Sequence, residues 1–560
     1  MAQNSKIISI ATLFILFISG CANQLPPPGG DPDTIPPEVM AVYPPNGTTN
    51  FREKTIEIEF SEYIKRNNAR EAVFISPTIE GEIEYSWSGT TLEIEFEDDL
   101  TENTTYTVTA GTDFQDENNR NNMAEPFVFA FSTGDKIDKG KIAGRVYDNK
   151  PLGIIVAAYR INDSIPNPKI DKPEYISQAG DKGDFTLLGL SPNTYRVFAL
   201  RDDFKDFLYK VEQDEYGSPT HDIVLSEEDS MYVGLNFKMA REDSTLPELT
   251  SATMTDKYHL LLEFTEFIDS SKISAMNFEI IDSTSGMKFN PIHFYRGNAS
   301  ARQYYISFND SLTVDEEFTL NAVNIFDYSN NRNEITSVPF IASDRPDSVK
   351  PDIPKVTTDF ANNTIDFNGG SVLLNFNDGI DSSRAVGSVR FKDEHDKFYR
   401  FSTSRPDDAS LKIDISEKLE PRKKYSLVLD MNKIVDAAGN VRDSVHTFEL
   451  TTSSELDFSG ISGKITGVIP EGKLFVIAEE ARPKGEIVSV PVSEEGLYKF
   501  KQVKPGKYLV WAFGDKNGNQ TYDNGSIEPF EYAEKFAYFR DTLNLRPRWP
   551  VGDVDIIFSE

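Results

Sequence analysis

Cysteine is almost absent from this sequence: the chain of 560 residues has one, Cys21. A single cysteine excludes an internal disulfide, so each folded domain must be held by its own apolar core. Histidine is also scarce, with five residues and no His-x-x-x-His or His-Glu-x-x-His spacing for zinc. The sequence also lacks a Gly-x-Ser-x-Gly nucleophile motif and a phosphate-binding glycine loop. These absences indicate that the protein is not an enzyme.

Positively charged residues are fewer than negatively charged ones. Lysine and arginine total 57 against 90 aspartates and glutamates, which gives a formal net charge of −33. An acidic surface repels nucleic-acid phosphates and anionic lipid headgroups, so no nucleic-acid partner is expected. The acidic residues would keep a long β-rich chain from associating edge to edge. Binding of divalent cations is the alternative role for them.

Long hydrophobic runs are also absent, and no segment reaches the roughly 20 apolar residues that a transmembrane helix needs. The only strongly apolar stretch is short and lies at residues 7–18, after the positively charged Lys6. Two small residues then precede Cys21. This order predicts a signal peptide over residues 1–20.

The sequence ISGC at residues 18–21 resembles the bacterial lipobox, in which an aliphatic residue and two small residues precede an obligatory cysteine. The resemblance implies cleavage before Cys21, thioether lipidation of its sulfur and acylation of the new amino terminus, for example with palmitate, which together give a stable membrane anchor. Residues 21–32, with their prolines and glycines, are predicted to form a semi-rigid tether. Ala22 in place of aspartate implies release to the outer membrane. No acidic cluster follows Cys21 closely, as it often does in surface lipoproteins of the Bacteroidota type, so the periplasmic and the surface-facing leaflet are both open.

The rest of the sequence consists of two kinds of repeat in the order A-B-A-A-B. The strand pattern of the first A repeat alternates Ile56, Ile58 and Phe60 with glutamates, which places one face in a core and the other in water. Short strands at regular spacing predict a β-sandwich for each repeat. The predicted domains are A1 (33–135), B1 (138–241), A2 (243–344), A3 (347–454) and B2 (458–560).

The A repeats resemble bacterial Ig-like domains of the surface-layer-protein type. A1 opens with Asp-x-x-Pro-Pro at Asp33, has a Pro-Asn-Gly turn at residues 45–47 and closes with Phe-x-Phe-Ser-Thr. A2 and A3 are divergent, since they keep one proline of the opening and lack the turn. The B repeats resemble transthyretin-like or carboxypeptidase-regulatory-like domains in their Gly-x-Val strand, Gly-x-Phe/Tyr strand and Pro-Gly-x-Tyr turn.

Together with the amino terminus, this order of repeats resembles a Bacteroidota-type envelope lipoprotein. The resemblance implies an all-β fold, a linear array of Ig-like and transthyretin-like β-sandwiches after a lipoprotein signal peptide. We expect a non-enzymatic scaffold or protein-binding subunit at the outer membrane, with a protein partner in the envelope, accessory to an outer-membrane assembly or export complex. The alternative is a carbohydrate-binding surface lipoprotein of a glycan-uptake system.

One segment of B2, DKNGNQTYDNG, is a candidate calcium loop. Its oxygen-bearing side chains lie at alternate positions, as hard Ca²⁺ prefers: Asp515, Asn517, Asn519 and Asp523. The start fits the spacing Asp-x-[Asp/Asn]-x-[Asp/Asn], but Gln520 stands where the loop needs glycine and Ser526 where it needs a bidentate glutamate. An Asx-rich hairpin turn without metal is the open alternative.

Tryptophan is rare, with three residues. Trp549, between Pro547 and Pro550, is the surface candidate for stacking on a carbohydrate, with packing as its alternative. Trp87 and Trp511 lie in strand-like patterns and are expected to pack in cores.

Overall fold

The computed structural model describes residues 33–559, with the exception of 67–68, 78, 80, 162–164 and 483–484. The predicted signal peptide, the tether and Cys21 lie outside the described residues. Nearly all regular structure is β-strand, arranged in many separate sheets, which confirms the predicted all-β array of sandwiches. In the described part of the chain, no helix is both long and apolar enough to cross a membrane.

Alternation in the sequence produces the strands of A1. In Thr55–Phe60 the two isoleucines and Phe60 are buried and the two glutamates are exposed. One sheet has the order β1-β2-β5-β4 and the other the order β3-β6-β7, and their inner faces enclose one apolar core. The elements are β1 (Val39–Tyr43), β2 (Thr55–Phe60), α1 (Ala69–Ala72), β3 (Val73–Ser76), β4 (Ile83–Ser88), β5 (Thr91–Phe96), β6 (Thr105–Ala110) and β7 (Phe127–Ser132).

B1 is built from nine strands, several of which are buried on both faces. Its elements are β8 (Gly140–Tyr147), β9 (Ile155–Arg160), β10 (Tyr175–Gln178), β11 (Asp184–Leu190), β12 (Asn193–Arg201), β13 (Glu215–Gly217), β14 (Ile223–Leu225), β15 (Met231–Lys238) and β16 (Ala240–Arg241). β8 pairs antiparallel with β11, and β9 pairs with β10. β12 pairs with β13 and with β14, and β13 pairs with β16.

A2 is a sandwich of two four-stranded sheets, ordered β17-β18-β22-β21 and β20-β19-β23-β24, around one core. Its elements are β17 (Leu249–Asp256), β18 (His259–Phe264), a 3₁₀ turn (Ala275–Asn277), β19 (Phe278–Asp282), β20 (Lys288–Phe289), β21 (His293–Tyr295), β22 (Gln303–Ser307), β23 (Glu317–Phe326) and β24 (Arg332–Ile341).

A3 also has two four-stranded sheets, β25-β27-β30-β29 and β26-β32-β31-β28, around its own core. In the second of them the short strand β26 pairs parallel with β32, whereas the short strand β20 of A2 pairs antiparallel with β19. Its elements are β25 (Lys355–Thr358), β26 (Thr364–Ile365), β27 (Ser371–Asn375), α2 (Ser382–Ala385), a 3₁₀ turn (Val386–Ser388), β28 (Val389–Asp393), β29 (Phe401–Ser404), β30 (Ser410–Ile415), β31 (Lys424–Asp430), a 3₁₀ turn (Met431–Lys433) and β32 (Val445–Thr452).

B2 places a three-stranded sheet, β36-β33-β40, over a five-stranded one, β35-β34-β37-β38, in which β39 also pairs with β37. A 3₁₀ turn (Glu455–Asp457) lies between A3 and B2. The elements of B2 are β33 (Ser459–Gly467), β34 (Lys473–Glu480), β35 (Ile487–Pro491), β36 (Leu497–Val503), β37 (Gly506–Asp515), β38 (Phe536–Tyr538), β39 (Leu543–Leu545) and β40 (Ile556–Phe558).

The described chain divides into two compact units. The first holds the residues up to Pro166 together with Lys172–Val197 and Ile223–Val233, and the second holds Asn167–Asp171, Phe198–Asp222 and everything from Gly234 onward. A1 therefore lies in the first unit, whereas A2, A3 and B2 lie in the second. The division passes inside B1, which contributes residues to both.

Candidate functional site

The most strongly connected polar site lies where A2 meets A3, within the second unit. The hairpin from β17 to β18 has two loop residues, which bring Asp256 opposite His259. His259 is only 4% exposed, and its Nδ1 donates to Asp256 at 2.8 Å from Oδ1 and 3.0 Å from Oδ2. Its Nε2 lies 3.2 Å from Oδ1 of Asp378 in A3, in a geometry that does not make a hydrogen bond.

A tyrosine of A2 is part of the core of A3. Tyr295, at the end of β21, is 2% exposed, packs in the A3 core and stacks on Tyr305 with ring centroids 5.6 Å apart. Its hydroxyl donates to Asp378 Oδ1 at 2.6 Å, and the backbone N–H of Gly379 donates to the same oxygen. A Cβ at Gly379 would lie 3.1 Å from the Tyr295 ring, so a larger residue there would require the ring to shift by a few tenths of an ångström.

Further hydrogen bonds connect the two repeats at the same joint. The backbone N–H of Phe294 in A2 donates to Oδ2 of Asp408 in A3 at 2.9 Å. Behind it, Arg405 lies 3.5 Å from the Asp408 carboxylate and donates to the carbonyl of Ile380. The joint is therefore held by buried polar contacts as well as by apolar packing.

The charges at the joint shift the titration of its groups. Burial alone would lower the pKa of His259, but the hydrogen bonds to Asp256 and the charges of Asp378 and Asp256 raise it to about 10. Burial alone would raise the pKa of Asp256, yet the bond and charge of His259 hold it below its usual value. Burial also raises the pKa of Tyr295, and the charge of Asp378 adds to that effect. His259 is therefore a cation between two carboxylates at neutral pH.

Each A repeat groups its opening aspartate with two other carboxylates, and this was missed in the sequence. The three sets are Asp33, Glu62 and Asp116 in A1; Asp243, Glu266 and Asp327 in A2; and Asp347, Asp378 and Asp436 in A3. The signal was present, because the repeats align the opening Asp, the acid after the second strand and the Asp of the Asp/Asn-rich turn.

The carboxylate sets carry like charge in partly buried surroundings. Burial, followed by the charges of Asp116 and Asp33, raises the pKa of Glu62. Burial, with the charges of the two aspartates of the A2 set, likewise raises the pKa of Glu266. Burial raises the pKa of Asp436 to about 6, and Asp378 and Asp347 add to this effect.

A second joint connects A1 with B1 inside the first unit. Thr107 donates through its hydroxyl to the carbonyl of Leu188 at 2.7 Å. The backbone N–H of Thr112 donates to Gln178 Oε1 at 2.8 Å, and Gln178 Nε2 donates to Asp113 at 3.0 Å. Gln178 is fully buried, so its amide is satisfied by the neighbouring repeat instead of by water.

A third joint connects residues of B1 with residues of B2 inside the second unit. The hydroxyl of Tyr216 donates to the carbonyl of Gly525 at 2.6 Å, and Lys169 pairs with Glu528 at 2.7 Å. Lys238 Nζ lies 3.7 Å from the centre of the Trp511 ring, a cation–π contact. Burial lowers the pKa of Lys238.

The candidate calcium loop is a hydrogen-bonded turn. The Asp515 carboxylate accepts from the backbone N–H of Gly518 at 2.7 Å and of Gln520 at 3.0 Å. The amides of Asn517 and Asn519 both donate to Asp523, at 2.7 and 3.1 Å. The four predicted residues are thus brought together in one turn, and calcium binding by them stays a prediction.

The three tryptophans differ in exposure. Trp549 is 73% exposed, and its carbonyl accepts from the Ser459 hydroxyl at 2.7 Å. Trp511 is 4% exposed and stacks on Tyr538. Trp87 packs obliquely on Phe60, with ring centroids 5.9 Å apart.

Comparison with known proteins identifies two of the three A repeats. The family model described as Bacterial Ig-like domain matches residues 33–133 and 347–452, which are A1 and A3. The chain carries bacterial Ig-like domains. The match does not extend to A2 or to the B repeats, so the Ig-like family of A2 and the transthyretin-like character of the B repeats stay predictions. No curated protein matches the sequence.

Solved structures show only distant likeness. The N-terminal part of the bacterial S-layer protein SbsC is 14% identical over 38% of this chain and 45% of its own length, with a TM-score of 0.17. The structure of SbsC domains 1–6 is 10% identical and covers 92% of this chain and 67% of its own, with a TM-score of 0.15. The major pilin subunit of Bacillus cereus is 10% identical and covers 75% of this chain and 100% of its own, with a TM-score of 0.13. This chain spans less than half of the first structure, and likeness at these scores carries no functional argument.

Proposed function

We propose that this protein is a non-enzymatic scaffold or protein-binding subunit of the cell envelope, anchored by lipid at the outer membrane and accessory to a protein assembly or export complex. One observation supports it above the others: Tyr295 of A2 is buried in the core of A3. Sandwiches joined through a shared core hold their surfaces at fixed spacing, which is what a scaffold requires.

The proposal is tested by crosslinking the full chain in native membranes and purifying it after gentle solubilisation. We expect a stoichiometric protein partner with the wild type, and less of it with Tyr295→Ala, since that change opens a cavity in the A2–A3 joint. Tyr328→Ala is the matched control, because Tyr328 is 69% exposed. Recovery of the chain without a stoichiometric partner would count against the proposal.

The lipid anchor is tested separately at Cys21, which lies outside the described residues. Wild-type protein is expected in the detergent-rich phase of a Triton X-114 separation, and Cys21→Ser is expected in the aqueous phase, since only the cysteine sulfur carries the thioether-linked lipid. Ala22→Ser controls for a change beside the cleavage position. Equal partition of wild type and Cys21→Ser would overturn the anchor.

The exposure of Trp549 favours carbohydrate binding as the second candidate function. The Trp549 ring is 73% exposed, and the hydrogen bond from Ser459 to the Trp549 carbonyl restrains the backbone that carries it. Glycan-array binding that Trp549→Ala abolishes would support this function. Phe398→Ala, which removes another exposed aromatic ring, is the control, and equal loss with both variants would exclude a specific site.

A further inference from the structure

His259, Asp347 and Asp378 each offer one ligand atom, and these three atoms lie within 4.8 Å of one another at the A2–A3 joint. We propose that they form a binding site for a divalent transition-metal ion of the zinc class, which connects the two Ig-like repeats. The site differs from the predicted calcium loop of B2 in both place and chemistry.

The donor set selects the class of metal. Zinc and its neighbours bind an imidazole nitrogen and carboxylate oxygens, with water in the remaining position. Calcium prefers six to eight oxygen ligands and gains nothing from an imidazole. One buried histidine beside two aspartates is therefore a set for the zinc class.

The histidine is held as a ligand. His259 is 4% exposed, and its Nε2 has no hydrogen-bond partner among the described residues. Nδ1 is engaged by Asp256, so the nitrogen that faces the cluster is Nε2. A carboxylate on the far nitrogen of a ligand imidazole fixes the ring and strengthens its bond to a metal.

The two carboxylates are also oriented by outer partners. Asp378 Oδ1 accepts from the Tyr295 hydroxyl and the backbone N–H of Gly379. Asp347 Oδ2 accepts from the side-chain amide of Asn440 at 2.8 Å. Ligands restrained in this way keep their geometry when an ion binds or leaves.

The cluster has room for the ion and its water. A cavity of about 320 Å³ is lined by His259, Asp347 and Asp378, and also by Arg345 and Asn298. A cavity of this size exceeds the space of several water molecules. It therefore admits a hydrated ion from solvent and the water that would complete the coordination.

A proton is the competing occupant of the same position. Without metal, His259 is an imidazolium between Asp256 and Asp378. When the ion binds, the proton on Nε2 passes to solvent and the nitrogen lone pair forms the new bond, so the ion replaces the positive charge between the carboxylates.

The experiment uses the full chain without a histidine tag, stripped with a chelator and titrated with Zn²⁺ and, separately, Ca²⁺. Binding of Co²⁺ is followed by its visible absorption, which reports nitrogen and oxygen ligands. We expect one Zn²⁺ or Co²⁺ ion per chain, with affinity reduced about 10-fold or more in Asp347→Asn and His259→Gln.

The matched control is Glu266→Gln in the all-carboxylate set of A2, which has the same spacing limit but no histidine. It should leave Zn²⁺ and Co²⁺ binding unchanged. Asp347→Asn distinguishes lost binding from misfolding, because it leaves the His259–Asp256 pair in place. The thermal unfolding of this variant should match that of the wild type. Absence of stoichiometric Zn²⁺ binding, or binding that persists in His259→Gln, overturns the proposal, as does a site here that takes only Ca²⁺.

Discussion

A single buried imidazole connects two repeats at the residue scale. Burying a charged group costs free energy unless its partners compensate for it. His259 has two such partners, Asp256 in its own hairpin and Asp378 in the next repeat. Removing the imidazole would leave two buried carboxylates facing each other, so the side chain stabilises both repeats at once.

The stability of the joint should depend on pH through His259. Its pKa is about 10 in the folded protein and 6.5 in its ordinary state. The stabilisation is therefore complete below pH 6.5 and is lost as the pH rises through 10. His259→Gln should lower the melting temperature strongly at pH 6.5 and little at pH 10, since breaking a buried pair costs about 3–5 kcal/mol.

Calorimetric scans of the chelator-treated, metal-free chain at pH 6.5, 8 and 10 measure that effect. His395→Gln is the control, because the side chain of His395 is 83% exposed. A melting-temperature difference between wild type and His259→Gln that stays constant over this pH range would contradict the assignment.

The candidate calcium loop gives a separate prediction. Titration of Ca²⁺ into the full chain is expected to release a heat that Asp515→Ala and Asp523→Ala abolish, because each removes a carboxylate from the turn. Glu266→Gln tests whether the A2 carboxylates contribute. Equal heats in the wild type and in both loop variants would show that the segment is a hydrogen-bonded turn that does not bind calcium.

At the scale of elements, each sandwich is stabilised by strands that bury one face in the core and expose the other to solvent. In β5 the side chains of Leu92, Ile94 and Phe96 are buried, while that of Glu95 between them is exposed. With no disulfide available, the cores alone offset the conformational entropy of ordering the chain.

Ile94→Ala should therefore destabilise A1 by about 2–5 kcal/mol, because Ile94 is fully buried and its truncation leaves a cavity in the core. Glu95→Ala on the same strand should change stability by no more than about 0.5 kcal/mol. Urea unfolding followed by near-ultraviolet circular dichroism compares the two. Similar losses in both variants would mean that the strand face is assigned incorrectly.

The strands could be predicted from the sequence because burial alternates with a period of two, as in Thr55–Phe60. The joints could not. Tyr295 lies in the short strand His293–Tyr295, and nothing in the local pattern indicates that its ring packs in the core of another repeat. The carboxylate sets could have been predicted from the sequence, because an alignment of the three A repeats superposes their acidic positions.

At the scale of the whole molecule, the order of domains along the chain does not determine which of them touch. Within the second unit, residues of B1 contact residues of B2 although A2 and A3 lie between them in sequence. The array is linear in sequence and includes a contact between its second and last repeats.

A zero-length carbodiimide crosslink tests this contact. Lys169 and Glu528 lie 2.7 Å apart, so mass spectrometry of the digested protein should find an amide between them. Lys54 and Asp99, 3.0 Å apart within A1, serve as the positive control. Glu528→Gln should remove only the first crosslink. Detection of the control pair without the Lys169–Glu528 pair would show that the contact does not form.

The hydrogen bond from Tyr216 to Gly525 joins positions 309 residues apart. During translation, at about 5–20 residues per second, Tyr216 is made about 15–60 s before Gly525. For that interval Tyr216 can make its contacts within B1, such as the ring contact with Tyr209, but not its hydrogen bond to B2. Assembly of this contact therefore starts only after residue 525 has been made, and a nascent chain that stops earlier cannot form it.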